Sequence, residues 1–256
     1  MSNVKLTDAL GMAENEVVAL VGGGGKTSAM FRLARETAEN AGTVITTTTT
    51  RIFAAQIALA PTHVPAAEAT RERVAAGLAT HRHVLVIGDT NPKDGKADGV
   101  SLELFDRLRS WFPRACLLNE ADGSRMRPFK APAAHEPVIP AKTTLVVPVV
   151  GADVFGQPLD AEHVHRPELV SALSGVPLGA SITPEVVARV LVHRDGGLKG
   201  VPSDARVVVV INKVERLADR TPAHETAERL LREPAIASVL LTALRADDPV
   251  IEVRTR

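Results

Sequence analysis

Val17-Val18-Ala19-Leu20-Val21-Gly22-Gly23-Gly24-Gly25-Lys26-Thr27-Ser28 runs from an apolar stretch through a glycine quartet into a helical pattern over Thr27 to Asn40. The order is strand, loop, helix start, which is what a phosphate site requires. Consecutive glycines let backbone N–H groups turn toward an anion without side-chain clash, and a helix N-terminus adds partial positive charge. Lys26 is placed to reach the outer phosphates, and Thr27 to offer a hydroxyl to Mg²⁺. The spacing G-x-x-G-K-T is shorter than G-x-x-x-x-G-K-[ST], because position 20 is Leu20. A glycine turn that merely closed a strand onto a helix would leave Lys-Thr at the helix start without a packing role. The stretch therefore predicts a nucleotide site formed by Gly22, Gly23, Gly24, Gly25, Lys26, Thr27 and Ser28.

The pattern outside this stretch repeats the same alternation. Seven apolar runs read as strands: Val17 to Val21, Val44 to Thr49, Val84 to Ile87, Ala115 to Glu120, Thr144 to Val150, Arg206 to Ile211 and Ala237 to Leu241. Their near-continuous apolarity suits strands covered on both faces of a parallel sheet. Helical patterns lie between them at Thr27 to Asn40, Leu102 to Phe112, Pro184 to His193 and Thr221 to Arg232. Thr183-Pro184 and Thr221-Pro222 read as N-caps with proline at the first helical position, and Gly196-Gly197 as a stop. The prediction is a single α/β domain over residues 1–256, doubly wound and mostly parallel, of the P-loop NTPase kind. Two stretches break the alternation. Asp122 to Lys142 holds four prolines and no strong period, and predicts a long functional connection. Residues 152–204 predict a helical insertion.

Composition excludes several classes. The 256 residues are 45% hydrophobic and 23% charged, ordinary for a folded protein. Lys+Arg and Asp+Glu both number 30, so no global field draws the chain to nucleic acid or an anionic membrane surface. Aromatic residues make up 3%, too few for stacking platforms along a single strand. The one cysteine, Cys116, excludes an intrachain disulfide and fits a reducing cytoplasm, and its apolar run marks it as a core residue. The N-terminal sequence lacks a signal-peptide pattern, and no apolar run approaches the roughly 18 residues of a membrane span.

Glu120 and Asp122 follow the Cys116-Leu117-Leu118-Asn119 run, at the strand end where ligands of open parallel sheets bind. Both are candidates to hold Mg²⁺ or to orient a water, and with Lys26 they form the predicted catalytic set. Asn212-Lys213-Val214-Glu215, after a Val-rich run, resembles the N-K-x-D element of P-loop GTPases. There a carboxylate accepts the guanine N1–H and N2–H, a pair adenine cannot make, so GTP is favoured over ATP. Thr242-Ala243-Leu244 resembles the small-residue loop that contacts the guanine O6. Glu120-x-x-Gly123 resembles the E-x-x-G form found in GTPases that include nickel-insertion metallochaperones.

Together Val21 to Thr27, Thr46 to Arg51, Glu120 to Arg125, Lys130 to Pro140, His163 to Glu168 and Asn212 to Glu215 resemble the YqeC family over nearly the whole chain. Its members are described as accessory proteins for selenium-dependent molybdenum hydroxylases. The resemblance implies that the partner is a hydroxylase subunit or its cofactor. The chain departs from the family pattern at Met126-Arg127, commonly small residues, and at Glu215, commonly Asp. Arg125, Arg127, Lys130 and His135, beside Glu136, predict a loop that clamps phosphates or another small anion, with Arg51 adding charge. Thr46 to Thr50 reads equally as a phosphate-sensing segment or as a Thr-rich strand. The pairs His81-x-His83 and His163-x-His165 read as incidental, and no metal besides Mg²⁺ is expected.

The leading expectation is slow GTP or ATP hydrolysis serving hydroxylase maturation, with Lys26→Ala abolishing nucleotide binding and leaving the fold intact. A kinase or nucleotidyltransferase acting on a small anionic cofactor precursor, and a non-catalytic nucleotide-latched chaperone, are the alternatives.

Overall fold

The apolar runs become strands buried on both faces because helices cover each side of the sheet they form. The computed structural model describes residues 4–256. Its main sheet has nine strands: β1 Val17–Gly22, β2 Val44–Thr48, β3 His63–Pro65, β4 His83–Ile87, β5 Cys116–Glu120, β6 Leu145–Gly151, β7 Arg206–Asn212, β8 Ile236–Thr242 and β9 Val250–Thr255. The spatial order is β9-β8-β7-β6-β1-β5-β2-β4-β3. Every neighbouring pair is parallel except β8 with β9.

The strand count exceeds the expected seven by the two edge strands. β3 has three residues and carries a proline, and β9 reads Val-Ile-Glu-Val-Arg-Thr. An edge strand needs no continuous apolar run, so neither stands out in the sequence. Two small sheets add to this: Phe129–Lys130 pairs with Val164–His165, and Ile52–Phe53, Lys96–Ala97 and Thr90–Asn91 form the other.

Within β1 the side chains alternate between two cores. Ala19 and Val21 pack with Val146, Val150, Val207 and Ile211 under helices Pro167–Ser174, Pro184–Val192 and Thr221–Leu230. Val18 and Leu20 face the other way, against Ala29, Met30 and Leu33 of helix Lys26–Glu39. Burying each such Val or Leu is worth about 1.5–3 kcal/mol, which makes β1 the sheet's anchor. Helices Arg71–His81 and Leu102–Trp111 cover Val17, Ile45, Val84 and Leu117. Residues 152–204 hold helices Pro167–Ser174 and Pro184–Val192 together with the short strand Val164–His165.

Local signals at the helix ends fared unevenly. Thr183 accepts the Val186 N–H as expected. Thr221 is not a cap: it lies inside its helix, and Asp219 Oδ1 accepts both its N–H and its hydroxyl, a stronger acceptor two residues upstream. Among the described residues no helix is long and apolar enough to cross a membrane.

Register decides where the site lies. Leu20 pairs with Glu120 and Glu120 with Thr48, while Gly151 pairs with Asn212 and Asn212 with Thr242. These carboxyl ends form one rim. From β1 the chain builds β2 to β5 on one side, then β6 to β9 on the other, so the topological switch point falls beside the glycine loop.

Candidate functional site

A cleft of about 510 Å³ opens on this rim, a size typical of small-molecule sites. Gly24, Gly25, Lys26, Thr27, Ser28 and Glu120 line its centre, Asn212, Lys213 and Glu215 one end, and Thr50, Arg51 and Phe53 another part.

The loop differs from the expected four-glycine cradle. The Gly22 N–H is donated to Asp122, the Gly23 N–H to Val149 O at 2.8 Å and the Gly24 N–H to Arg127 O at 3.1 Å. Three of the four glycine donors are therefore engaged within the protein. The N–H groups of Gly25, Lys26, Thr27 and Ser28 have no partner among the described residues, and no side chain caps the helix they open. That uncapped end is where an anion finds free donors. The glycines are required by close approach: at Gly24, with φ +77°, a Cβ would strike the Gly151 backbone, and at Gly23 it would lie 2.6 Å from Arg127 O.

Lys26, 3% exposed, donates to Gly22 O at 2.6 Å and lies 3.2 Å from Asp122 Oδ1 and 3.5 Å from Glu120 Oε1. Burial works to lower its pKa, but the two carboxylates outweigh it and hold the ammonium above its ordinary value. Thr27 donates its hydroxyl to Glu120 Oε2 at 2.8 Å. Glu120 faces the cleft and Asp122 does not. Asp122 lies beneath the loop, accepting Gly22 N–H with both oxygens and pairing with Lys130 at 3.0 Å.

From Asp122 a row of alternating charges runs outward. Lys130 Nζ also meets Glu136 Oε2 at 2.6 Å, and Arg166 grips both oxygens of Glu136 at 2.8 and 3.2 Å. Burial would raise the Glu136 pKa, but hydrogen bonds and charge from Arg166 and Lys130 hold it down to about 2. Arg166 was not singled out from the sequence; its signal was its place in His163 to Glu168 together with proline at the next position. His165, also on the cleft wall, is lowered to about 4 by burial, then by Arg166, Lys130 and Arg125.

Asn212 donates to Gly24 O at 2.8 Å and accepts the Leu244 N–H at 3.0 Å and the Thr242 hydroxyl at 3.3 Å, tying the glycine loop to the Thr242–Leu244 turn. Lys213 pairs with Asp153 at 2.6 Å, and Glu215 stands half-exposed on the cleft wall. Thr242 is fully buried and Ala243 nearly so. Arg51 lines the cleft, held by Asp94 and Asp98, whereas His135 is exposed at the surface. The Thr46 to Thr49 hydroxyls bond within the fold, to His83, Val86 O, Glu120 O and Val138 O, so the Thr-rich strand reading holds there. Cys116 is buried, and burial raises its thiol pKa. No cluster of three or more His, Cys, Asp or Glu suited to a metal occurs among the described residues.

These features define an α/β protein with a glycine loop opening a helix at the switch point of a largely parallel sheet. Residues 18–168 match the family described as YqeC protein, and the chain belongs to that family. It is 29% identical over 215 residues to the uncharacterized protein YqeC of Escherichia coli (strain K12), covering 84% of this chain and 82% of that one. The matched family region contains the glycine loop, both acids and Arg166; Asn212, Lys213 and Glu215 lie beyond it.

Proposed function

We propose that the cleft binds a purine nucleoside triphosphate with Mg²⁺, GTP in preference to ATP, and hydrolyses it slowly. The observation that carries this reading is the uncapped start of helix Lys26–Glu39. Four free N–H groups, the Lys26 ammonium and the Thr27–Glu120 pair converge there on the centre of one cleft. Thr27 and Glu120 are hard oxygen donors side by side, a set that suits Mg²⁺ completed by phosphate oxygens and waters. The metal would neutralise phosphate charge. Lys26 would exchange part of its hold on the two acids for the outer phosphates.

Slow turnover follows from the acids present. Asp122 is covered, Glu120 is committed to Thr27 and the metal, and Glu136 is clamped by two cations with a pKa too low for a useful base. At the far end Glu215 is the carboxylate available to a guanine edge. Service to the maturation of a selenium- or molybdenum-dependent hydroxylase, or of its cofactor, rests on the family resemblance. Phosphoryl or nucleotidyl transfer is the second reading, favoured by the cleft continuing past the loop to Arg51 and Arg125.

A thermal-shift panel with GTP, GDP, ATP and ADP, with and without Mg²⁺, tests this. Ligand at about 100 times its Kd stabilises the native state by about 2.7 kcal/mol. A larger shift for GTP with Mg²⁺ than for ATP is expected. No shift with any nucleotide would refute the site, and shifts with adenine nucleotides alone would refute the role of Glu215.

A further inference from the structure

The cleft extends past the helix start to residues that follow β2. Asn212 ends β7 and Thr50 to Phe53 follow β2, and these strands stand four places apart with β6, β1 and β5 between them. At about 4.8 Å per strand, the two ends are about 19 Å apart. A nucleotide with its base at Glu215 would run its phosphates across the β1 loop, and the part of the cleft beyond them, toward β2, is lined by Thr50 to Phe53.

That part has its own chemistry. Phe53 lines it and is 41% exposed, the one Phe or Trp exposed to that degree among the described residues. The Lys96 ammonium stands 5.7 Å from the Phe53 ring centre. Lys96 and Arg125 line the cleft without a carboxylate partner among the described residues, unlike Arg51 and Arg166. His165 faces the same space as a neutral ring at pH 7.

Backbone strain collects along the cleft as well. Among the described residues six non-glycine positions have positive φ, and four of them line the cleft: Arg125 at +48°, Met126 at +64° and Arg166 at +64°, with Lys213 at +65° at the other end. Each costs of order 1–3 kcal/mol, a cost retained where side-chain placement is needed. Two adjacent strained residues, Arg125 and Met126, hold the free guanidinium at the rim.

We infer that the β5 to β2 half of the cleft is a second subsite, for a small oxyanion carried on a planar ring. Phe53 packs the ring, and Arg125 and Lys96 hold the oxyanion beside the terminal phosphate. This rests on the nucleotide reading for its role as a co-substrate site, though not for its own binding chemistry.

The probe is 1-naphthyl phosphate, titrated by fluorescence with and without saturating GTP and Mg²⁺. Inorganic phosphate, 1-naphthoate and 2-naphthol serve as comparisons, the naphthoate separating carboxylate from phosphate recognition. Binding that survives saturating nucleotide, weakens at least tenfold in both Phe53→Ala and Arg125→Ala, and exceeds that of phosphate and naphthol supports the subsite. Both residues are exposed, and an unchanged melting temperature verifies the fold. Displacement of the probe by GTP, or wild-type affinity in either variant, overturns the second subsite and leaves the nucleotide reading standing. If GTP does not bind at all, the nucleotide reading fails. Probe binding that depends on Phe53 and Arg125 then still supports an aryl-oxyanion site, and its absence overturns that too.

Discussion

Lys26 and Lys130 divide one carboxylate between them: Lys26 lies 3.2 Å from Asp122 Oδ1, and Lys130 lies 3.0 Å from Oδ2. Asp122 is thus a counter-ion beneath the glycine loop, and both its oxygens also accept the Gly22 N–H. Asp122→Asn leaves two buried ammonium groups under-compensated and is expected to cost about 3–5 kcal/mol. Urea denaturation measures this. Lys26→Ala removes the opposite charge from the same cluster, so it is expected to lower stability as well as binding, contrary to the expectation from sequence that its fold stays intact.

Thr27→Ala removes the hydroxyl facing Glu120. Nucleotide affinity in Mg²⁺ is expected to fall at least tenfold, about 1.4 kcal/mol, while Thr27→Ser keeps it. Calorimetry at two Mg²⁺ concentrations checks the pair. Equal losses in both variants would show that the hydroxyl is not what matters.

Asn212→Ala strips the Gly24 carbonyl and the Leu244 N–H of their shared partner. A stability loss of about 2 kcal/mol is expected, typical of orphaning buried backbone groups. Gly25→Ala acts on the same contact from the other side. Its φ is +147° and a Cβ there would strike Asn212 Nδ2. Nucleotide affinity is expected to fall in both, because both displace the N–H groups at the helix start.

Acid destabilisation should come in two windows. His83 is buried against Thr46, and burial lowers its pKa from 6.5 to about 4. The unfolded chain then binds the proton first, so stability falls as pH drops from 6.5 toward 4, by about 3 kcal/mol. Glu136, held down from 4.5 to about 2, contributes stability that is complete above about pH 4.5 and is lost as pH falls through 2, again by about 3 kcal/mol. Stability curves from pH 7 to 2.5 should become shallower in the upper window for His83→Gln, the slope left there coming from His165, also lowered to about 4, and shallower in the lower window for Glu136→Gln. Unchanged slopes would refute either assignment.

Much of this was legible from residue order. The apolar runs marked the parallel strands because each is buried on both faces, and glycine-lysine-threonine marked the loop, although Lys26 also has a buried structural place against Asp122 and Glu120 that residue order does not show. Edge strands β3 and β9 escaped notice because one covered face imposes too weak a pattern. The division of labour between Glu120 and Asp122 was invisible as well. It depends on which way two side chains of one segment turn at the end of β5, one into the cleft and one under the loop. Three engaged glycine donors could not be foreseen either, since their acceptors Asp122, Val149 and Arg127 are about 100 or more residues away.

The row Lys26, Asp122, Lys130, Glu136, Arg166 is continuous, each charge touching the next. Groups linked in this way do not respond independently. Once one member is removed its neighbour is already unbalanced, so removing that neighbour costs less than it would alone. Double-mutant cycles along the row should therefore be strongly non-additive. A polyanion that draws Lys26 out of the row acts as a reversible deletion of its first member, felt as far as Arg166.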